Sequence, residues 1–451
     1  MKITFYGGAK SVTGANYLLE EGNLRILVDC GLYQGSKYAD ELNYEKFPYD
    51  PSTVDFVFLS HSHTDHTGRL PKLYKEGFRG QIIASNPTLD LAKKALPDNY
   101  GLMKTEAERE GRELLYSLED LDKTWTLARG FDYEQKIELK NGIFAILHDA
   151  GHILGSTITE FNFGGQKIYF TGDLGNPPTP LLNPPYFPED ADFIVAESAY
   201  GNRIHEDRVH RKEILEDVIV ATMNQEGVLM IPSFAMERTQ ELLFELNDMM
   251  EHKRIPRVPV FVDSPLATNL TEVYRKYPHY FNKQATHIID SGDDIFNFPG
   301  LQFTRTSEES KQINDVPAPK IIIAGSGMSI GGRILHHEKR YLSDPRSAIL
   351  FVGYQVQNSL GRRILDGAKE VSIFGEKIAV NCRVKAIGGY SAHADQEMLL
   401  RWIASANLKA KLKKAFIVQG EEESAQALAD KVKRELKVEA VVPSSGESFE
   451  L

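Results

Sequence analysis

A histidine-rich run directly after an apolar strand is the feature that most restricts the possible folds of this chain. The run at residues 60–66 reads SHSHTDH, and Phe56–Leu59 before it has the pattern of a buried strand. Side chains alternate between faces along extended backbone, so His61 and His63 point the same way and can bind one metal ion together. The competing interpretation is a solvated turn that only caps a helix. A metal site needs further ligands, which predicts a fold that brings several strand ends to one edge.

The other ligand candidates lie later in the run or come after apolar strands. Asp65 and His66 lie at the turn into a helix and can reach a neighbouring metal position. His152 is flanked by small residues and is the predicted ligand of its segment, whereas we interpret His148 as structural. Asp173 follows a strand beside a glycine, and its two carboxylate oxygens can bridge two ions of a two-metal site.

The ligand types indicate zinc. Imidazole and carboxylate ligands without thiolate suit Zn²⁺, with Mn²⁺ or iron as alternatives. Cys30 and Cys382 are the only cysteines, so a cysteine-based zinc site and a disulfide framework are both excluded. Asp29, at another strand end, is predicted to accept a hydrogen bond from a ligand histidine and orient it, or else to be a simple turn residue.

Length, hydropathy and charge predict an ordinary soluble chain with two or three domains. The chain has 451 residues, and domains commonly run to roughly 100–200 residues. It has no apolar run of about 18 residues and no apolar core for a signal peptide, which predicts a cytoplasmic protein without membrane contact. The net charge of −11 argues against a surface coated with basic residues for unspecific nucleic-acid binding, but it allows a local basic groove.

The pattern along the chain changes near Tyr200. Strands dominate before it, whereas strands and helices alternate after it, beginning with a helix predicted over residues 206–225. Repeated strand–helix units predict a parallel sheet covered on both faces. We therefore predict an α/β domain at residues 205–370, inserted into a first domain that is formed by residues 1–204 and completed by residues 371–451.

The ligand series resembles the successive motifs of the metallo-β-lactamase superfamily. This resemblance implies an αββα sandwich with a dinuclear metal site at one edge. It implies that His61, His63 and His152 hold the first ion, that Asp65 and His66 hold the second, and that Asp173 lies between them. It also implies a metal-bound hydroxide as the nucleophile, with Asp65 counted among the catalytic residues.

Further motifs resemble the β-CASP nuclease branch, particularly its bacterial RNA-processing members. They are AESAYG at 196–201, IPSFA at 231–235, GSGM at 325–328, GGRILHH at 331–337, VGYQ at 352–355 and YSAHAD at 390–395. The resemblance covers essentially the whole chain. The expected architecture is therefore a metallo-β-lactamase αββα sandwich with an inserted parallel-sheet α/β β-CASP domain.

Two groups of residues could act on a nucleic-acid substrate. His393 could protonate the leaving alkoxide, with Glu197 raising its pKa and orienting it, or the two could be a buried structural pair. In the insert, strand ends before helices place candidate phosphate-binding groups at Ser233 and Ser326, although both are equally ordinary helix caps. Arg333 and His337 are further candidates for substrate binding, and a solvated helix face is the alternative interpretation of the basic segment that contains His337.

One position departs from the family pattern. The RNA-cleaving members usually carry histidine before Gly-Glu after the next-to-last core strand, and that histidine ligates the second metal. Here Gln419 precedes Gly420 and Glu421, and an amide is a poor zinc ligand. Weak binding of the second ion, a substitute ligand, and a site with one tight ion all stay open.

The expected function is hydrolysis of single-stranded RNA by a metal-dependent ribonuclease. A β-CASP nuclease acting on DNA and a non-catalytic nucleic-acid binder with an impaired second metal site are the alternatives. An esterase or lactonase of the wider superfamily would not account for the large insert. The family also makes a homodimer plausible.

Overall fold

The computed structural model describes residues 1–35, 37–205 and 210–451. The chain divides into two compact units, one formed by residues 1–204 with 392–451 and the other by residues 205–391. In the part of the chain that is described, every helix is too short or too polar to span a lipid bilayer.

The N-terminal part of the first unit contains eleven of the described strands and most of the unit's described helices. The strands are β1 (Lys2–Gly7), β2 (Asn16–Glu21), β3 (Leu24–Val28), β4 (Phe56–Phe58), β5 (Gln81–Ser85), β6 (Ala128–Phe131), β7 (Lys136–Glu138), β8 (Phe144–Asp149), β9 (Thr157–Phe163), β10 (Gln166–Phe170) and β11 (Phe193–Glu197). The helices are α1 (Lys37–Leu42), α2 (Thr64–Thr67), α3 (Leu70–Lys75), α4 (Asn86–Glu110) and α5 (Leu118–Thr124), with 3₁₀ turns at Pro51–Thr53 and Trp125–Leu127.

The second unit alternates helices and strands. The strands are β12 (Val228–Pro232), β13 (Val260–Asp263), β14 (Leu301–Phe303), β15 (Lys320–Ala324), β16 (Ala348–Phe351), β17 (Glu370–Ile373), β18 (Glu376–Ala379) and β19 (Arg383–Ala386). The helices are α6 (Arg211–Met223), α7 (Arg238–Glu251), α8 (Pro265–Lys276), α9 (Lys283–Asp290), α10 (Ser307–Gln312), α11 (Ile334–Tyr341) and α12 (Leu360–Leu365), with 3₁₀ turns at Pro278–Tyr280, Ile313–Asp315 and Gly388–Tyr390.

The chain then returns to the first unit. This last part contains α13 (Gln396–Ala406), β20 (Lys414–Val418), α14 (Glu422–Leu436), β21 (Glu439–Val441) and β22 (Glu447–Glu450). β20 pairs in parallel with β11, and β22 pairs antiparallel with β1, so the tail adds strands to both sheets of the unit.

The described strands of the first unit form two sheets that pack face to face. Their orders are β22-β1-β2-β3-β4-β5-β6 and β21-β20-β11-β10-β9-β8-β7. Aromatic rings fill the space between them, with ring centroids of Phe5 and Phe416 5.1 Å apart and those of Phe58 and Phe161 4.8 Å apart. Helices cover both outer faces, for example through Trp402 of α13 on the second sheet. The predicted αββα sandwich is confirmed.

The strand directions bring the functional loops to one edge of the sandwich. β3 and β4 are parallel to each other, as are β10, β11 and β20. β8 and β10 both run antiparallel to the intervening β9, so they also share a direction. The carboxyl ends of parallel strands meet at the same edge of a sheet, which is where ligand-binding groups of α/β folds are expected.

The main sheet of the second unit is parallel throughout its described strands, as the alternating pattern predicts. Its order is β14-β13-β15-β12-β16-β19. The predicted end of the insert at residue 370 differs from the structure, which keeps residues 371–391 in this unit, because β19 pairs in parallel with β16. The helix predicted over residues 206–225 corresponds to α6, and residues 206–209 lie outside the described residues.

Glu338 of α11 leads to a prediction about stability. Its side chain is fully buried, accepts a hydrogen bond from the Ser329 hydroxyl, and burial raises its pKa to about 8. Between about pH 4.5 and 8 the folded state therefore holds a proton that the unfolded state has released. As the pH rises through this range, Glu338 lowers the free energy of unfolding by about 1.4 kcal/mol per pH unit. Glu338→Gln should remove that slope. Denaturant unfolding at pH 5 and pH 8 checks this, and equal pH dependence in both proteins would contradict it.

Candidate metal centre

Six segments of the first unit place polar side chains at the shared strand edge. Each segment follows a strand of the sandwich: Asp29 follows β3, the 60–66 run follows β4, His152 follows β8, Asp173 follows β10, Glu197 ends β11 and Gln419 follows β20. The structure brings them together with His393, which lies just before α13.

The first set consists of three imidazoles and one carboxylate. His61 Nε2 lies 3.0 Å from His63 Nδ1, and His152 Nε2 lies 3.4 Å from the same atom. Asp173 Oδ2 is 3.4 Å from His61 Nε2 and 3.6 Å from His152 Nε2. These four potential ligand atoms lie within 4.8 Å of one another, close enough to surround one cation.

Electrostatics keep these imidazoles in the form that binds metals. Burial disfavours the imidazolium and holds the pKa of His61 and that of His152 well below the usual value, and it lowers the pKa of His63 to about 4. A neutral imidazole keeps a lone pair for a cation. The donor set, its burial and its protonation state therefore fit a divalent metal such as zinc.

A second set shares Asp173. Its other oxygen, Oδ1, lies 3.4 Å from His66 Nε2, and Asp65 Oδ2 lies 3.6 Å from the same nitrogen. The two oxygens of Asp173 therefore face different imidazoles, as a bridging carboxylate requires. Burial raises the pKa of Asp65, whereas the surrounding histidines lower that of Asp173 despite its burial.

Asp29 and Ser60 fix the orientation of the second set. His66 Nδ1 donates to Asp29 Oδ2 at 2.8 Å, which leaves Nε2 directed at Asp173. The Ser60 hydroxyl donates to Asp29 Oδ2 at 2.8 Å and also lies 3.0 Å from His61 Nδ1. The sequence interpretation overlooked Ser60, although its position beside the histidine run was a usable signal.

Gly172 makes the bend that delivers Asp173. Its φ is +53°, and a β-carbon there would lie 2.5 Å from that of Ser60. A side chain would thus meet both backbone strain and a steric clash.

Gln419 lies beside the second set. Its Nε2 is 3.0 Å from His66 Nε2, and its Oε1 accepts a hydrogen bond from the Tyr17 hydroxyl at 3.4 Å. Burial disfavours the imidazolium of His66, but the carboxylates of Asp173, Asp29 and Asp65 outweigh it and raise the pKa of His66 well above its usual value. The amide nitrogen of Gln419 lies beside His66 Nε2 and has no lone pair for a cation, so it occupies the position of a further ligand without acting as one.

His393 and Glu197 form an ion pair at the border of the first set. His393 Nδ1 lies 3.4 Å from Glu197 Oε2 and 3.8 Å from Asp173 Oδ2. Burial disfavours the imidazolium, but the carboxylates of Glu197 and Asp173 outweigh it and raise the pKa of His393 to about 9. Leu174 N donates to Glu197 Oε1, which anchors the fully buried carboxylate. This pair can hold a proton near the metal-binding groups.

His148 is separate from these sets. It pairs with Glu134 at 2.8 Å and with Glu160 at 3.1 Å, and its ring stacks on Tyr186 with centroids 4.0 Å apart. These contacts agree with a structural interpretation.

The four candidates for substrate binding lie in the second unit. Arg333 Nη1 and His337 Nε2 each lie 2.7 Å from a different oxygen of Asp263, a fully buried carboxylate. The Ser233 hydroxyl lies 3.1 Å from that of Thr239, and the Ser326 hydroxyl accepts from Ile330 N. The sequence interpretation overlooked the role of Asp263 as a shared partner.

Three family models match successive parts of the chain. A metallo-beta-lactamase superfamily domain matches residues 18–174, a Beta-Casp domain matches residues 239–364, and a Zn-dependent metallo-hydrolase RNA specificity domain matches residues 377–443.

Similar proteins match over most of their length. The chain is 37% identical to "Ribonuclease TTHA0252" of Thermus thermophilus over 95% of both chains. It is 31% identical to "Transcription termination factor FttA" of Methanosarcina mazei, covering 97% of this chain and 70% of that protein. A crystal structure of a protein of unknown function from Enterococcus faecalis shares the fold, with a TM-score of 0.58, 13% identity and coverage of 100% and 99%. Sequence, fold and motif order agree: the chain belongs to the β-CASP branch of the metallo-β-lactamase superfamily.

Proposed function

We propose that this protein is a metal-dependent ribonuclease that hydrolyses phosphodiester bonds of single-stranded RNA. The observation that carries the proposal is the convergence of two potential ligand sets that share Asp173, with the His393–Glu197 pair beside them. Similarity to a bacterial protein named as a ribonuclease supports RNA as the substrate.

The two sets of donor atoms support two positions for zinc, with manganese as an alternative. His61, His63 and His152 with Asp173 would hold one ion, and Asp65 and His66 with the other oxygen of Asp173 would hold the second. Bound ions of this kind supply Lewis acidity and lower the pKa of a water molecule for attack on phosphorus.

The chain's own residues would orient a metal ligand and protonate the leaving group of the substrate. Asp29 and Ser60 hold His66 so that Nε2 faces the shared carboxylate. His393 keeps its proton at neutral pH because its pKa is about 9, so it can donate that proton to the leaving oxygen of the substrate. Glu197 keeps the imidazole charged and directed.

A cleavage assay tests the proposal and separates the competing functions. End-labelled single-stranded RNA and DNA of the same sequence should be incubated with the protein and Zn²⁺ or Mn²⁺. We expect cleavage of RNA in preference to DNA. Preferred cleavage of DNA would indicate the DNA nuclease instead, and tight binding without cleavage would indicate a non-catalytic binder. A cytoplasmic location and a homodimer stay predictions from the sequence.

Gln419 leads to a prediction about metal occupancy. Because its amide nitrogen lies 3.0 Å from His66 Nε2 and offers no lone pair to a cation, we expect the second ion to be lost readily, leaving about one tightly bound ion per chain. Gln419→His would supply an imidazole ligand at this position and raise the retained metal toward about two ions per chain. Elemental analysis after dialysis measures this, with Gln426→His, on the exposed surface of α14, as the matched control. Equal metal content in Gln419→His and the wild-type protein would contradict the prediction.

A further inference from the structure

Two aromatic rings are exposed at the strand-end edge of the second unit. Phe234 follows β12 and is 44% exposed, and Tyr354 follows β16 and is 49% exposed. β12 and β16 pair in parallel, so both rings lie on loops at the same edge of the sheet. Two exposed rings on neighbouring loops form an apolar surface that a ligand with flat apolar faces could cover.

The Phe234 ring rests on backbone. A β-carbon at Gly327 would lie 2.8 Å from the ring, and one at Gly353 would lie 3.8 Å away. The Thr239 hydroxyl donates to the Phe234 carbonyl at 2.7 Å, which fixes the backbone that carries the ring. One part of the ring is therefore supported, while nearly half of the residue stays open to solvent.

Gln355 ties the two supporting loops together. Its side chain is 2% exposed, and its Nε2 donates to the carbonyls of Gly327 at 3.0 Å and Gly353 at 3.1 Å. This joins the loop after β15 to the loop that carries Tyr354. The rings therefore stand on a fixed backbone, which lowers the entropy cost of binding.

A cationic helix is attached to the same loops. Gly361 N of α12 donates to the Met328 carbonyl at 3.2 Å. Arg362 on this helix pairs with Asp366, whereas Arg363 is exposed and has no ion pair among the residues described. Positive charge beside exposed aromatic rings complements a chain of bases joined by phosphates.

We propose that Phe234 and Tyr354 form a stacking platform for unpaired bases of the RNA substrate, with Arg363 attracting its phosphate backbone. This inference rests on the proposed function and adds to it the surface that recognises bases. Stacking accepts every base, since each has a π-face, so the platform would favour single strands over duplexes without reading sequence.

Binding of two cleavage-resistant oligomers to the metal-loaded protein tests the platform. One is a phosphorothioate-linked oligouridylate, and the other is an abasic oligomer of the same length and linkage. We expect the wild-type protein to prefer the oligomer that carries bases. Phe234→Leu, which keeps an apolar contact with Gly327, combined with Tyr354→Ala should raise the Kd for that oligomer about tenfold or more and leave the Kd for the abasic oligomer unchanged. Arg363→Gln should weaken both and reduce the salt slope by about one.

The matched control is Phe374→Ala, which removes a ring that is 56% exposed on the loop between β17 and β18. Its binding should equal that of the wild type. Equal affinity of the wild-type protein for both oligomers, or unchanged binding in the double variant, would overturn the proposed platform. If the wild-type protein still cleaved RNA in that case, the proposed function would stand. A wild-type protein that neither binds nor cleaves RNA would overturn both.

Discussion

Replacement of His63 by alanine should abolish RNA cleavage. His63 Nδ1 lies 3.0 Å from His61 Nε2 and 3.4 Å from His152 Nε2. The substitution therefore removes the potential ligand that lies close to both other histidines of the first set. A metal ion supplies several kcal/mol of transition-state stabilisation, and about 1.4 kcal/mol corresponds to a tenfold change in rate. We therefore expect kcat/KM for RNA to fall about a thousandfold or more, together with the tightly bound metal.

The measurement pairs cleavage kinetics with elemental analysis of the same preparation. His252→Ala serves as the matched control, because the side chain of His252 is 68% exposed on the second unit. That control should keep both metal and activity. If His63→Ala retained full activity with its metal lost, the assignment of the first set would be wrong.

Replacement of His393 by alanine should separate proton donation from metal binding. His393 is held by Glu197 at 3.4 Å, and these carboxylate contacts raise its pKa to about 9. A general acid contributes roughly 10²- to 10⁴-fold to the rate, so cleavage of RNA should slow by that factor while the bound metal is retained. Glu197→Gln should also slow cleavage, since it removes the charge that keeps the imidazole protonated.

The leaving group provides the decisive comparison for this role. Nitrophenolate is a weakly basic leaving group and departs without a proton, so hydrolysis of bis(p-nitrophenyl) phosphate should be far less sensitive to His393→Ala than cleavage of RNA is. An equal loss on both substrates would show that His393 does not act as the acid. A loss of metal in the variant would instead give it a structural role.

Much of the candidate site was predictable because its residues follow strands. Strand ends can be located from apolar runs, and parallel strands that share an edge bring distant residues together, as for His61, His152 and Asp173. The contact of Gln419 with His66 was not predictable. It joins residues 353 positions apart and depends on the rotation of one amide, which no local pattern reports.

The second unit shows where local patterns stop being informative. β19 is a short strand with two partly buried and two exposed residues, and its four-residue pattern fits either domain. Its parallel pairing with β16 places it in the second unit. Arg333 and His337 were interpreted as groove residues, yet they share the carboxylate of Asp263, which lies 70 and 74 positions away. Partners at that separation follow from the folded sheet.

In the proposed mechanism, the clustered imidazoles and carboxylates bind metal ions that RNA cleavage requires. The most direct measurement titrates Zn²⁺ into chelator-treated protein while recording bound metal and cleavage of a labelled single-stranded RNA. We expect no cleavage without metal, recovery of cleavage that follows metal occupancy in the wild-type protein, and no recovery in His63→Ala. Cleavage by the metal-free protein, or equal recovery in His63→Ala, would contradict it.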